Sequence, residues 1–143
     1  MTRLLLVICA ASLAMSSVRA DDAVRTCASL KTYREFPFHR FETGYVESLS
    51  FPVPAVVESA LREVAAIKLA QPWLTSDVVY AKICALANEA ETPAVRYKAL
   101  LVRMVFDFPE MFVEEREREY RNDEEIFTAL QDRLRRSALV LVR

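Results

Sequence analysis

Residues 75–107 read TSDVVYAKICALANEAETPAVRYKALLVRMVFD, and this stretch decides the fold class. Apolar residues recur in it at intervals of three and four, which is the period of an amphipathic helix. A first helix is predicted to begin at a cap formed by Thr75 or Ser76. The Thr92-Pro93 pair predicts the start of a second, because a hydroxyl residue followed by a first-turn proline favours a helix start. The stretch therefore predicts two successive helices joined by a short loop.

Similar signals extend in both directions from this stretch. Further helices are predicted over Asp22–Tyr33, over Phe38–Leu49, between Pro54 and Pro72, over Glu110–Arg121, and from Asn122-Asp123 onward. Glycine, on which tight β-hairpin turns depend, occurs once in 143 residues. We therefore expect an all-α domain: a compact antiparallel helical bundle or a short helical-hairpin array of about five to seven helices with short loops.

The charged segment that follows Pro109 has an ordered arrangement of acids and bases. Glu114 precedes Arg118 by one helical turn, and Glu117 precedes Arg121 in the same way. This order favours ion pairs along a helix, each contributing about 0.3–0.5 kcal/mol. Interleaved charges of this kind are typical of a solvated helix face.

Two predicted helices begin with related sequences, PAVVESAL at residues 54–61 and PAVRYKAL at residues 93–100. Their separation suits a helix-hairpin repeat of roughly 40 residues. The second copy resembles the first helix of a HEAT-type repeat, in which a proline start precedes a Val-Arg pair and a small residue followed by leucine. The resemblance covers one helix and a solenoid needs about three repeats, so it assigns no family.

The first twenty residues, MTRLLLVICAASLAMSSVRA, follow the pattern of a secretory signal. Arg3 precedes an uncharged apolar run over Leu4–Met15, and Val18 and Ala20 are small apolar residues before a cut at Asp21. The run is shorter than the ~20 residues of a membrane-spanning helix. We expect a cleavable signal peptide at 1–20, a single helical domain at 21–143, a periplasmic or secreted location, and no membrane insertion after cleavage.

Cys27 and Cys84 are the cysteines that would remain after cleavage of the signal. An even number of cysteines in an exported chain favours a disulfide. In the chain-entropy model a bridge between them would stabilise the fold by about 4 kcal/mol. The alternative is a pair of buried free thiols.

Charge and composition disfavour several classes of function. The formal net charge is −1 and the pI is about 5.9, whereas a nucleic-acid-binding face is usually basic. His39 is the only histidine, and zinc sites commonly need three or four ligands. No metal, cofactor or catalytic residue is therefore predicted. A Ser–His–acid site with His39 as its base stays open as an alternative, although no G-x-S-x-G motif is present.

The segment from Tyr33 to Phe51 concentrates aromatic rings, arginines and glutamates, a combination that is common at protein interfaces. Burial in the core is the competing interpretation of its rings, and of Trp73. The candidate partner-binding residues are Tyr33, Arg34, Phe38, His39, Arg40, Glu42 and Trp73.

These features predict an exported, non-enzymatic protein-binding domain of immunity-protein or inhibitor type, whose partner is another protein such as a toxin, an enzyme or a client. Fold class alone cannot assign such a role. One alternative is a periplasmic chaperone or stress protein, whose glutamates would neutralise in acid near their ordinary pKa of about 4.3. The other alternative is a small hydrolase that uses His39.

Overall fold

The structure, a computed structural model, describes residues 30–120 and 122–141. Over these residues the chain is helical and contains no strand, which confirms the all-α prediction for the described part. The α-helices are α1 (Glu42–Leu49), α2 (Pro54–Ala70), α3 (Asp77–Glu89), α4 (Pro93–Asp107) and α5 (Asp123–Leu141). Three 3-10 segments cover Leu30–Tyr33, Phe38–Arg40 and Pro109–Glu117.

The starts of α2, α3, α4 and α5 follow local signals in the sequence. Pro54 and Pro93 occupy the first turns of α2 and α4, where a missing backbone N–H removes no helical hydrogen bond. The Ser76 side chain accepts a hydrogen bond from the backbone N–H of Val79 at 3.3 Å and so caps α3. Asn122 accepts one from the N–H of Glu125 at 3.0 Å and caps α5 in the same way.

The predicted helix over Phe38–Leu49 is wrong in its first part. Phe38–Arg40 forms a 3-10 turn, Phe41 has non-helical angles (φ −113°, ψ 2°), and the α-helix begins at Glu42. Ring packing explains the break, because the Phe38 ring stacks on Tyr45 at 5.3 Å and the Phe41 ring stacks on Phe36 at 5.2 Å. The earlier predicted helix, over 22–33, lies mostly outside the described residues, and its end is the 3-10 segment Leu30–Tyr33.

The predicted α-helix over 110–121 is also wrong. Pro109–Glu117 is a 3-10 segment interrupted at Phe112, and Arg118 has extended angles (φ −81°, ψ 143°). Phe112 and Glu115 are buried, so the segment folds inward and does not form a solvated helix face. The predicted pair of Glu114 with Arg118 is replaced by a pair between Glu114 and Arg133 at 2.7 Å. Arg121, predicted to pair with Glu117, lies outside the described residues.

Helix α2 lies at the centre of the fold and contacts α1, α4, α5 and two of the 3-10 segments. Leu61, Val64, Ala65 and Ile67 of this helix are fully buried. Burial of a large aliphatic side chain contributes roughly 1.5–3 kcal/mol relative to its exposure, so this inner stripe is the main hydrophobic contribution of α2.

A buried lysine joins three of the helices. The Nζ atom of Lys98 on α4 lies 2.7 Å from a Glu58 carboxylate oxygen on α2 and 2.5 Å from one of Glu124 on α5. It also lies 5.1 Å from the centre of the Phe127 ring. Burial acts to lower the pKa of Lys98, but the hydrogen bonds to Glu124 and Glu58 outweigh it and the pKa is raised. The charged lysine therefore holds α2, α4 and α5 together.

Two further sequence predictions concern the ends of the chain and the cysteines. The signal peptide and Cys27 lie outside the described residues, so neither cleavage nor the Cys27–Cys84 bridge is tested. Cys84 is half-buried on α3 and forms no disulfide with another described residue. Among the described helices, none combines the length and apolar character needed to cross a bilayer.

Candidate functional site

Trp73 is the most exposed large apolar side chain in the described structure. It lies in the loop between α2 and α3, and 72% of its surface is accessible to solvent. Aromatic side chains are usually buried, since each can remove 150–250 Å² from water. A largely exposed indole is therefore a candidate contact residue.

A buried lysine fixes the loop on both sides of Trp73. The Nζ atom of Lys68, near the end of α2, donates hydrogen bonds to the carbonyl oxygens of Pro72 and Leu74, both at 2.7 Å. The ammonium group also lies 5.0 Å from the centre of the Phe106 ring. Because the two carbonyls flank Trp73 in the chain, Lys68 sets the backbone position from which the indole projects.

Gln71 connects the same loop to residues 33–36, which precede α1 in the chain. Its buried amide nitrogen donates hydrogen bonds to the carbonyl oxygens of Tyr33 at 2.7 Å and Phe36 at 2.8 Å. The Gln71 carbonyl accepts a hydrogen bond from the N–H of Leu74 at 2.9 Å and closes the turn. The segment 33–36 and the Trp73 loop are therefore held against each other.

A surface cleft of about 300 Å³ opens beside the indole. This volume is at the lower end of the range for ligand pockets. The cleft, called here the Trp73 cleft, is lined by Arg34, Leu69, Ala70, Pro72, Trp73, Arg116 and Glu117. Its apolar residues come from the end of α2 and the following loop. Of its charged residues, Arg34 precedes α1, and Arg116 and Glu117 belong to the 3-10 segment Pro109–Glu117.

The charged groups of the Trp73 cleft are predominantly basic. Arg34 pairs with Glu117 at 2.5 Å. Arg116 donates to the carbonyl oxygen of Pro109 at 3.0 Å, and its Nε–H is buried without an acceptor among the described residues. The pKa of Lys68 is lowered by burial and by the charge of Arg116, so these two cationic groups lie close enough to repel each other.

The structure places the predicted partner-binding residues in different environments. It brings Arg34 and Trp73 together in the cleft. Tyr33 and Phe38 are buried in the core, where the Tyr33 hydroxyl donates to a Glu63 carboxylate oxygen. These two side chains therefore belong to the core and do not line the Trp73 cleft.

The remaining predicted residues do not line the cleft. His39 and Arg40 are exposed in the 3-10 turn, and the described contact of the His39 ring is an edge-to-face approach to Phe38 at 6.1 Å. Glu42 is half-buried and accepts a hydrogen bond from the Ser76 hydroxyl. Among the described residues, no three histidine, cysteine, aspartate or glutamate side chains are grouped to hold a metal ion.

The sequence reasoning missed Lys68, Gln71, Arg116 and Glu117 as members or supports of the site. One signal pointed to Lys68, because it falls on the apolar stripe of α2, where a lysine needs buried partners for its charge. Nothing local marked Arg116 and Glu117 within a run of alternating charges.

A second surface hollow, of about 380 Å³, lies between α1 and α2. It is lined by Tyr45, Ser48, Ala55, Val56, Ser59, Ala60 and Glu63. Burial, followed by the charge of Glu63, raises the pKa of Tyr45 to about 12. The hollow contains a single charged side chain, whereas the Trp73 cleft combines an exposed indole with several charges.

Comparison with known proteins gives no assignment. The chain matches no protein-family model, and neither curated proteins nor solved structures give a significant match to it.

Proposed function

We propose that this chain is an exported, non-enzymatic protein-binding domain of immunity-protein or inhibitor type, and that the Trp73 cleft is its partner site. One observation carries the proposal: an indole that is 72% exposed stands on a loop whose flanking carbonyls both bind a buried lysine. Tryptophan and arginine are enriched among residues that dominate binding energy. Because the backbone of the loop is held before binding, the loop loses little conformational freedom when a partner binds.

Export and the disulfide are part of the same proposal. The signal pattern at residues 1–20 supports cleavage before Asp21, and N-terminal sequencing of exported protein that finds Met1 or Thr2 would contradict it. An exported chain favours the Cys27–Cys84 bridge. Titration of thiols in unfolded, unreduced protein should find none, and two reactive thiols would contradict the bridge.

The non-enzymatic part of the proposal concerns His39, the only histidine. Its exposed ring contacts the apolar ring of Phe38, and such surroundings support a surface histidine better than a general base, which needs a proton donor within hydrogen-bond reach. The hydrolase alternative requires this imidazole. A His39→Ala variant that retains full biological activity would remove that alternative.

The partner site is tested by affinity capture with the tagged, oxidised protein, followed by mass spectrometry. We expect one stoichiometric protein partner for the unchanged chain and its loss for Trp73→Ala. Tyr97→Ala is the matched control, since Tyr97 is an exposed aromatic residue on α4 outside the cleft. Equal capture by Trp73→Ala would show that the cleft is not the partner site.

The chaperone alternative is supported by a different surface. Three apolar side chains at or just before the start of α2 are exposed: Phe51, Val53 and Val56. A chaperone should expose more apolar surface of this kind in acid. A rise in binding of a hydrophobic dye between pH 7 and pH 3 would support it, and unchanged dye binding with retained helicity would count against it.

A further inference from the structure

We infer that the partner enters the Trp73 cleft with an acidic segment, placing an apolar side chain against Trp73 and an adjacent carboxylate on Arg34 and Arg116, and that Glu117 competes with that carboxylate for Arg34. This inference rests on the proposed function and names the chemistry of the partner at the same site.

The charge of the cleft is opposite to that of the chain as a whole. The formal net charge of the chain is −1. In and next to the cleft there are three basic side chains, Arg34, Arg116 and Lys68, and one acidic side chain, Glu117. In the described structure the contacts of Arg116 and Lys68 are carbonyl oxygens and rings, with no carboxylate. An acidic ligand would supply the missing negative charge, and complementary charge directs both encounter and orientation.

In the free protein Glu117 forms an ion pair with one of these arginines, Arg34. Its carboxylate pairs with Arg34 at 2.5 Å, and the two side chains are 67% and 53% exposed. Exposed ion pairs are weak because water screens both charges. A partner carboxylate can therefore replace Glu117 on Arg34, and the displaced carboxylate returns to solvent at little cost.

The apolar lining explains why charge alone is not sufficient. Leu69 is 2% exposed and forms part of the cleft wall, and Ala70 and Pro72 lie beside it. A leucine-sized side chain that covers these groups and one face of the indole removes apolar surface on both molecules from water. The matching segment is therefore an acidic residue next to an apolar residue, and not a run of acids.

The fluorescence of Trp73, the only tryptophan in the chain, reports on the occupancy of the cleft. The purified protein is titrated with a blocked tetrapeptide of alternating leucine and aspartate. The reference probe is the same peptide with asparagine in place of aspartate. We expect the acidic peptide to shift the emission with an affinity at least about tenfold higher than the amide peptide, and higher salt to reduce that difference.

Two variants test the roles of the charged groups of the cleft, and a third is a control. Arg116→Gln should lower the affinity for the acidic peptide by about tenfold, and Glu117→Gln should raise it severalfold, because it removes the competitor and adds net positive charge. Arg135→Gln is the matched control, since Arg135 is an exposed arginine on α5 outside the cleft. It should leave the affinity unchanged.

An equal response to both peptides, or no response to either, overturns the assignment of an acidic segment. A response to inorganic phosphate as strong as that to the acidic peptide also overturns it, since the cleft would then be a general anion site. A lower affinity in Glu117→Gln overturns the competitor role. None of these results affects the proposed function, which fails separately if Trp73→Ala captures the partner as well as the unchanged chain does.

Discussion

The Nζ atom of Lys68 lies 2.7 Å from the carbonyl oxygen of Leu74, and the same atom binds the carbonyl of Pro72 at the same distance. Lys68 is itself buried. A charged group in the core therefore holds, by its hydrogen bonds, the surface loop that contains Trp73. The loop is thus positioned by the core, and the backbone from which the indole projects depends on a residue that does not line the cleft.

Replacement of Lys68 by methionine should destabilise the protein and loosen the loop. The hydrogen bond to Leu74 is buried, and its loss leaves a buried carbonyl without a donor, which costs about 1–3 kcal/mol. Urea unfolding measures the loss of stability, and fluorescence anisotropy of Trp73 should fall. Lys82→Met, at a half-buried lysine on α3, is the control and should change stability by less than about 0.5 kcal/mol. Unchanged anisotropy in Lys68→Met would contradict the positioning role.

The starts of α2, α3, α4 and α5 were predictable because their determinants are local. Pro54 and Pro93 lie in the first turns of their helices, and Ser76 and Asn122 cap theirs through residues three positions later. Each signal needs only one turn of chain, so a single sequence contains it in full. Thr92 is a partial exception, because α4 begins after it without a hydrogen bond from its side chain.

The site itself depends on contacts between residues far apart in the chain, which a single sequence does not specify. Gln71 binds the carbonyl of Tyr33, and Arg34 pairs with Glu117. The charged segment after Pro109 failed as an α-helix for the same reason, since burial of Phe112 and Glu115 overrides a local pattern of charges. The sequence makes Trp73 a candidate contact residue but leaves its exposure open, because tryptophan is more often a packing residue.

Gln71→Leu should release the segment that precedes α1 while keeping the volume of the side chain. The change removes hydrogen bonds to the carbonyls of Tyr33 and Phe36, of which the first is buried, so stability should fall by about 1–3 kcal/mol. Hydrogen exchange should become faster across residues 33–41. Gln131→Leu, at a half-buried glutamine on α5, serves as the control. Equal exchange rates in Gln71→Leu and the unchanged chain would show that Gln71 does not hold the segment.

Stability should fall as the pH rises from about 10 to about 12. The unfolded chain releases the proton of Tyr45 near pH 10, whereas burial and the charge of Glu63 raise its pKa to about 12 in the folded protein. The folded state binds more protons in this window, so it loses stability as the pH increases. The raised pKa of Lys98 acts in the same direction, and the lowered pKa of Lys68 acts in the opposite direction.

The contribution of Tyr45 can be isolated with Tyr45→Phe. This variant should lose stability less steeply between pH 10 and pH 12 than the unchanged chain, when both are followed by urea unfolding at several pH values. At pH 7 the tyrosine is protonated in both states, so comparison there gives the effect of the hydroxyl alone. An identical slope in the two proteins would mean that Tyr45 does not titrate differently on folding.

Glu115→Gln should weaken the attachment of the 3-10 segment Pro109–Glu117 to the rest of the fold. The buried carboxylate accepts a hydrogen bond from the Tyr120 hydroxyl at 3.0 Å and lies 3.4 Å from Arg118 and 3.6 Å from Arg136 on α5. The neutral amide keeps the shape but loses both ion pairs, so stability should fall by about 1–3 kcal/mol.

The same variant has a spectroscopic readout that a purely steric effect would not change. Burial, the charge of Glu115 and its hydrogen bond raise the pKa of Tyr120. Removal of that charge should therefore lower the pKa of Tyr120, and tyrosinate absorbance in an alkaline titration measures it. Glu119→Gln, at an exposed glutamate one residue before Tyr120, is the control for a change of net charge. If both variants shift the tyrosinate titration equally, the buried carboxylate does not control this hydroxyl, and the segment is held by the Phe112 side chain instead.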